Sequence, residues 1–138
     1  MTIKKIYESY KTIAVYGMSA NPAKPSNYVP AFLMEHGYNI IPINPAAQEI
    51  LGKKSYTRLE DIPEEIEILN VFRPSEVAPD VVREAIERKK SRGDINLIWL
   101  QEGIISNEAK ELAEENGIEF IQDRCMLKEY KIILNSEF

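Results

Sequence analysis

The stretch Thr12-Ile-Ala-Val-Tyr16-Gly17-Met-Ser19-Ala-Asn21-Pro-Ala-Lys24-Pro-Ser26 decides how this chain folds. Thr12 to Tyr16 is a β-rich run of strand length, apolar on both faces, and Gly17 stops it. A strand that hides both faces belongs inside a parallel sheet covered by helices. After a polar loop the period changes. Val29, Phe32, Leu33 and His36 follow i, i+3, i+4, i+7, and Gly37 sits where a left-handed C-terminal cap is wanted. Ser26 or Asn27 is expected to cap this helix, with His36 on its inward face. Pro30 is tolerable only near the first turn.

Working outward, the same alternation repeats. Asn39-Ile-Ile-Pro-Ile43 reads as a second strand, with Pro42 suited to an edge or end. Glu67 to Phe72, Asn96 to Leu100 and Ile118 to Ile121 read as three more. One helix opens at Pro79, buries Val82, Ala85 and Ile86, and ends before Gly93. Another has Ser106 as N-cap and Gly117 after it. A terminal helix from about Arg124 to Leu134 closes the chain, and a short one precedes Thr12. Residues 44–66 are the least regular part, with Ser55-Tyr56 as a candidate edge strand and Arg58 to Ile62 as one helical turn. Strict alternation predicts right-handed crossovers and an α/β fold, a doubly wound parallel sheet in three α/β/α layers with five or six strands. The chain of 138 residues is expected to form one domain, its core over about 12–129.

Composition narrows the function. The net charge of −5 is a poor match for a duplex-binding protein, which needs clustered Lys and Arg. It leaves room for a small anion held by one local cation and backbone N–H groups. One cysteine and one histidine exclude an internal disulfide and a His/Cys metal cluster. The polar N-terminus lacks a signal-peptide core, and no window approaches the roughly 18 apolar residues of a membrane span. A cytoplasmic protein is the expectation.

Ligands of doubly wound sheets bind outside the carboxyl ends of the strands, where strand order reverses. The first loop has a strand-glycine-helix layout that presents backbone N–H groups to phosphate. A dinucleotide fingerprint would need three glycines, and only Gly17 is present. Ser19, Asn21 and Ser26 offer hydrogen bonds instead, and Lys24 offers a charge. The second strand ends in Asn44-Pro45, not in the acid that accepts both ribose hydroxyls of NAD. Lys53, Lys54 and Arg58 follow, either as a solvated face or as partners for a ribose that bears its own phosphate. Arg73 is the best candidate for a charge-assisted contact to phosphate or carbonyl oxygens. Phe72 either lies along an adenine or an apolar linker, or ends the core of its strand. Ser75 and Gln101 sit in loops that open on the same crevice. Cys125 is by default a small buried hydrophobe, with a reactive thiol beside Arg124 as the other reading. His36 is expected to be a packing or capping residue.

Several pieces in order resemble the small stand-alone CoA-binding domain proteins. They are Ile13-Ala-Val-Tyr-Gly17-Met-Ser19-Ala-Asn21-Pro, Lys24-Pro-Ser26, His36-Gly37-Tyr38, Ile41-Pro-Ile-Asn44-Pro45, Val71-Phe72-Arg73 with Ser75-Glu76, Trp99-Leu-Gln101 and Asp123-Arg124-Cys125. That family is similar to the nucleotide-binding domain of the succinyl-CoA synthetase α subunit. The phosphohistidine loop of that enzyme has no counterpart here, so ligase activity is not implied. What the resemblance implies is a Rossmann-like fold that binds coenzyme A. Ser19, Asn21 and Lys24 would hold phosphates, Asn44-Pro45 would border the adenosine, and Phe72, Arg73 and Ser75 the nucleotide and upper pantetheine. Two functions stay open. One is a module without chemistry of its own that binds CoA or acyl-CoA, as a carrier, a sensor or the partner of an acyl-CoA enzyme. The other is an NADP-binding or redox-sensing protein that uses Cys125.

Overall fold

A computed structural model describes residues 1–136. Five helices, α1 (Ile3–Ser9), α2 (Pro25–Glu35), α3 (Ala78–Arg92), α4 (Asn107–Glu115) and α5 (Met126–Ser136), alternate with strands. The strands are β1 (Thr12–Tyr16), β2 (Asn39–Ile43), β3 (Glu49–Ile50), β4 (Lys53–Lys54), β5 (Ile68–Val71), β6 (Leu97–Leu100) and β7 (Glu119–Ile121). The main sheet has five parallel strands in the order β2-β1-β5-β6-β7, which is the expected Rossmann-like α/β architecture. From β1 the chain steps outward to β2, then crosses back to β5 on the other flank of β1. The reversal of strand order falls between β1 and β5, so their carboxyl ends diverge there.

Period-2 alternation divides the sheet's side chains between two cores. Ile13, Val15, Ile40, Ile68, Leu97 and Trp99 pack with α1, α2 and α5. Ala14, Ile41, Leu69, Val71, Ile98 and Leu100 pack with α3, α4 and the turn before β5. All twelve are at least 97% buried. Strands β1, β2, β5 and β6 therefore hide both faces, which is why these segments are near-continuous apolar runs, whereas edge strand β7 is only partly covered.

Several local expectations are corrected. Helix α2 starts at Pro25, with Lys24 as an extended N-cap, so Ser26 and Asn27 lie inside it. A residue before proline is pushed out of the helical region, and proline itself is preset for the first helical position. Pro30 is consequently the sixth residue of α2, beyond the first turn. It cannot donate to the Ser26 carbonyl one turn back. The N–H of Ser19 donates to that carbonyl instead, at 3.2 Å, so the break in the helix ladder ties down the preceding loop. His36 is the C-cap of α2, with Nδ1 2.8 Å from the Phe32 carbonyl and its ring against Phe32 and Tyr130, so the capping and packing role holds, but the side chain is exposed and not buried on the inward face. In residues 44–66 the two-residue strands β3 and β4 form an antiparallel hairpin, and of the Ser55-Tyr56 pair only Tyr56 bridges to Ile43. The single turn there is Leu59–Asp61. Helix α5 begins at Met126, with the Cys125 carbonyl accepting the Glu129 N–H at 3.0 Å, and the Trp99 indole N–H donates to the preceding Arg124 carbonyl at 2.8 Å. Among the described residues no helix is long and apolar enough to cross a membrane.

Candidate functional site

The diverging ends of β1, β2 and β5 enclose a cleft of about 570 Å³. Gly17 forms its floor. Its φ of +88° is left-handed, and a Cβ there would lie 2.9 Å from the Phe72 carbonyl oxygen and 3.1 Å from Arg73 Cδ. Only glycine meets both conditions, because any side chain would collide with the neighbouring strand. The Gly17 N–H donates to the Ile43 carbonyl at 3.0 Å, and the Phe72 N–H donates to the Tyr16 carbonyl at 2.9 Å. The three strand ends are thus fixed to one another.

The loop between β1 and α2 is held from inside. Ser19 Oγ accepts the Asn21 N–H at 3.0 Å, and Asn21 Oδ1 accepts the Ala23 N–H at 3.0 Å. Buried Asn27 donates from Nδ2 to the Ser19 carbonyl at 2.8 Å. Asn44 Nδ2 donates to the Met18 carbonyl at 2.8 Å, while its Oδ1 accepts the Ala46 N–H at 2.7 Å. Asn44 therefore positions the loop from across the cleft. The first turn of α2 has no side-chain cap, so the positive end of the helix dipole opens on this space.

The lining is electrostatically one-sided. Lys24 and Arg73 both line the cleft, both are exposed, and neither pairs with a carboxylate among the described residues. No Asp, Glu, His or Cys belongs to the lining, in a chain whose net charge is −5. Ser19, Ser26 and Thr57 add polar side chains, and half-buried Phe72 adds an apolar surface. Tyr16 forms part of the wall, and its hydroxyl donates to Glu84 of α3 at 2.6 Å. Burial first, then the Glu84 carboxylate, pushes this phenol above its ordinary range, and nearby Arg73 opposes the shift. Tyr16 is accordingly a neutral donor at physiological pH. The lining is suited to holding an anion and contains no nucleophile-base or acid-base pair.

Gly17, Ser19, Lys24, Ser26, Asn44, Pro45, Phe72 and Arg73 meet in this cleft. Asn21 lies in the loop but outside the lining. Ser75 also lies outside it, and its Oγ accepts the Ile105 N–H at 3.0 Å. Gln101 is buried, with Oε1 3.5 Å from Asn70 Nδ2 and 3.4 Å from the Met126 N–H. Cys125 is a buried member of the apolar cluster beneath α1, α2 and α5, and it does not reach the cleft wall. Thr57 and Tyr16 are lining residues that strand and loop reading passed over. For Tyr16 the signal existed, since it is the last residue of β1. For Thr57 there was none, because it returns to the cleft only through the Tyr56–Ile43 bridge.

Comparison with known proteins agrees with this geometry. The family described as CoA binding domain matches residues 11–131. An uncharacterized Bacillus subtilis protein, YneT, is 39% identical over 124 residues, covering 90% of this chain and 88% of its own. An ADP-forming acetate–CoA ligase of Methanocaldococcus jannaschii is 29% identical over 138 residues, and the match spans only 20% of that enzyme. A solved Thermus thermophilus protein superposes with a TM-score of 0.88 at 35% identity, covering 96% of this chain and 99% of its own.

Proposed function

This chain belongs to the family of CoA binding domains, and we propose that its cleft binds coenzyme A or an acyl-CoA. The observation that carries this reading is the lining: two unpaired cations, an uncapped helix start and no carboxylate, at the reversal of strand order. The pyrophosphate lies between Lys24 and Arg73, against Ser19 and Ser26. The adenosine lies toward Asn44 and Pro45, and Phe72 flanks the pantetheine arm. Asn21 supports the loop from behind. Ser75 and Gln101 brace neighbouring segments and stay off the ligand.

The protein acts as a binding module without chemistry of its own. The absence of any acid, imidazole or thiol from the described lining supports this part. The activity of the acetate–CoA ligase is not transferred, because the match covers a fifth of that enzyme. The relationship does suggest the kind of partner such a module serves, an enzyme that makes or consumes acyl-CoA.

Calorimetric titration with CoA, NADP and NAD is the direct test. CoA binds with one-to-one stoichiometry, and the two nicotinamide nucleotides bind far more weakly. NADP binding with CoA inert would overturn the reading, as would CoA binding that is unaffected by both Lys24→Ala and Arg73→Ala.

A further inference from the structure

A groove of about 720 Å³ runs along α3, between that helix and the turn at Leu59–Asp61. It lies against the cleft. Thr57 lines the cleft, and its neighbour Arg58 lines the groove. Glu84 belongs to the groove wall, and its carboxylate accepts the hydroxyl of Tyr16, which belongs to the cleft wall, at 2.6 Å. Arg73 approaches the same hydroxyl from the cleft side. One hydrogen bond therefore spans the wall between the two recesses.

Four arginines line the groove, and each is already engaged by the protein. Arg58 pairs with Glu60 at 2.8 Å and with Asp61 at 3.2 Å. Arg83 pairs with Asp80 at 2.8 Å and with Glu108 at 3.1 Å. Arg92 donates to the carbonyls of Glu60 and Ile62, and Arg88 is enclosed with Asp94. The remaining carboxylates are not matched in this way. Glu84 has the Tyr16 hydroxyl as its partner and no cation among the described residues. Glu87 meets Lys90 at 3.7 Å, between two mostly exposed side chains, and such a pair contributes little. Glu84 and Glu87 stand three residues apart on α3, so they share a face about 5–6 Å apart. Basic side chains on alternate residues of an extended segment are spaced alike, at about 6.5 Å.

We infer that this groove is a docking surface for a basic, extended segment of a partner protein, anchored on Glu84 and Glu87, and that docking strengthens the hold of the cleft on its anionic ligand. This rests on the CoA reading above and names a partner chemistry and a regulation for that site. The sign follows from charge. The Glu84 carboxylate stands behind Tyr16 and repels an anion in the cleft, and a lysine or arginine of the partner cancels it. By linkage the bound anion raises the affinity for the partner by the same factor.

Fluorescence anisotropy with a labelled (Lys-Ala)4 peptide, beside calorimetry with CoA, tests this. The lysine peptide binds, and a (Glu-Ala)4 peptide does not. Glu84→Gln/Glu87→Gln weakens the lysine peptide roughly ten-fold or more, whereas Glu111→Gln/Glu114→Gln/Glu115→Gln on α4 leaves it unchanged. Saturating CoA tightens the peptide roughly five-fold, once direct contact of peptide with CoA is measured without protein and subtracted. Glu84→Gln alone tightens CoA, as docking does, and Glu87→Gln does not. Peptide binding that ignores Glu84 and Glu87 overturns the docking surface, and CoA affinity indifferent to both the peptide and Glu84→Gln overturns the coupling, while CoA binding itself stands in either case. If CoA does not bind, the proposed function and the coupling fall, and the docking surface is decided by the peptide's loss in the double variant. Concentration-dependent dimers in light scattering that disappear in that variant would assign the groove to a second copy of the chain and overturn the separate partner.

Discussion

Arg88 and Arg73 are the same residue type in opposite situations. Arg88 projects from α3 into the protein, and its side chain is 2% exposed. All five of its donors are occupied. Nε and Nη2 hold Asp94 at 2.9 Å, Nη1 holds the carbonyls of Leu59 and Ile62 at 2.8 and 3.0 Å, and Nη2 also holds the Glu64 carbonyl at 2.9 Å. Asp94 in turn accepts the Ile66 N–H at 2.9 Å. This group fastens the irregular segment that leads into β5. Arg73, at the other end of β5, is exposed in the cleft with no acid to neutralise it. A buried charge is tolerable only when its hydrogen bonds are complete, and an incomplete one is tolerable only where water or a ligand can reach it. The difference separates a cation that serves folding from one that is available to a ligand.

The largest effect that could break this contrast is on stability. Arg88→Met leaves Asp94 buried without its partner and should cost about 3–5 kcal/mol in chemical denaturation. A loss below about 1 kcal/mol would mean the five contacts do not hold the segment. Arg73→Ala should show the reverse pattern, with binding of CoA weakened by about 1.5–3 kcal/mol and folding changed by no more than about 0.5 kcal/mol. Equal effects on folding and binding would erase the distinction between the two arginines. Gly17→Ala sharpens it by joining the two properties at one position. Left-handed strain and the contact with Phe72 should cost about 1–3 kcal/mol of stability, and a displaced Arg73 should weaken CoA in the same variant. An unshifted melting temperature would contradict the close approach of the two loops. Cys125→Ala should have the smallest effect, about 1 kcal/mol or less on stability with CoA affinity unchanged. Loss of CoA affinity there would bring the thiol into the site and revive its reactive reading.

Much of this was legible before any coordinates. Strand positions followed from runs of β-branched and large apolar residues, and the cleft followed from where those strands end. Gly17, Lys24 and Arg73 were readable because each stands immediately beyond an apolar run or in the loop it enters. Gln101 was read as opening on the crevice, and its parity with Leu97 and Trp99 places it on the α5 side of the sheet, where it is buried beside Asn70. Arg88 also carried a signal, being three residues after Ala85 and seven after Val81 on the inward stripe of α3. Nothing local identified Asp94 or the carbonyls of residues 59–64 as its partners. Pro30 read as a disturbance, because the donor that replaces its missing N–H comes from Ser19, outside the helix.

By itself the sequence determined the layers, the direction of the strands and which loops share one end of the sheet. Those features depend on period, on apolar continuity and on the handedness of crossovers, all of which are local or generic. Only the tertiary structure decided which polar side chains are already satisfied by the protein and which are left for a ligand. That division separates Arg73 from Arg88. It depends on partners many residues away, since a hydrogen bond is made by atoms that meet in space, whatever their distance along the chain.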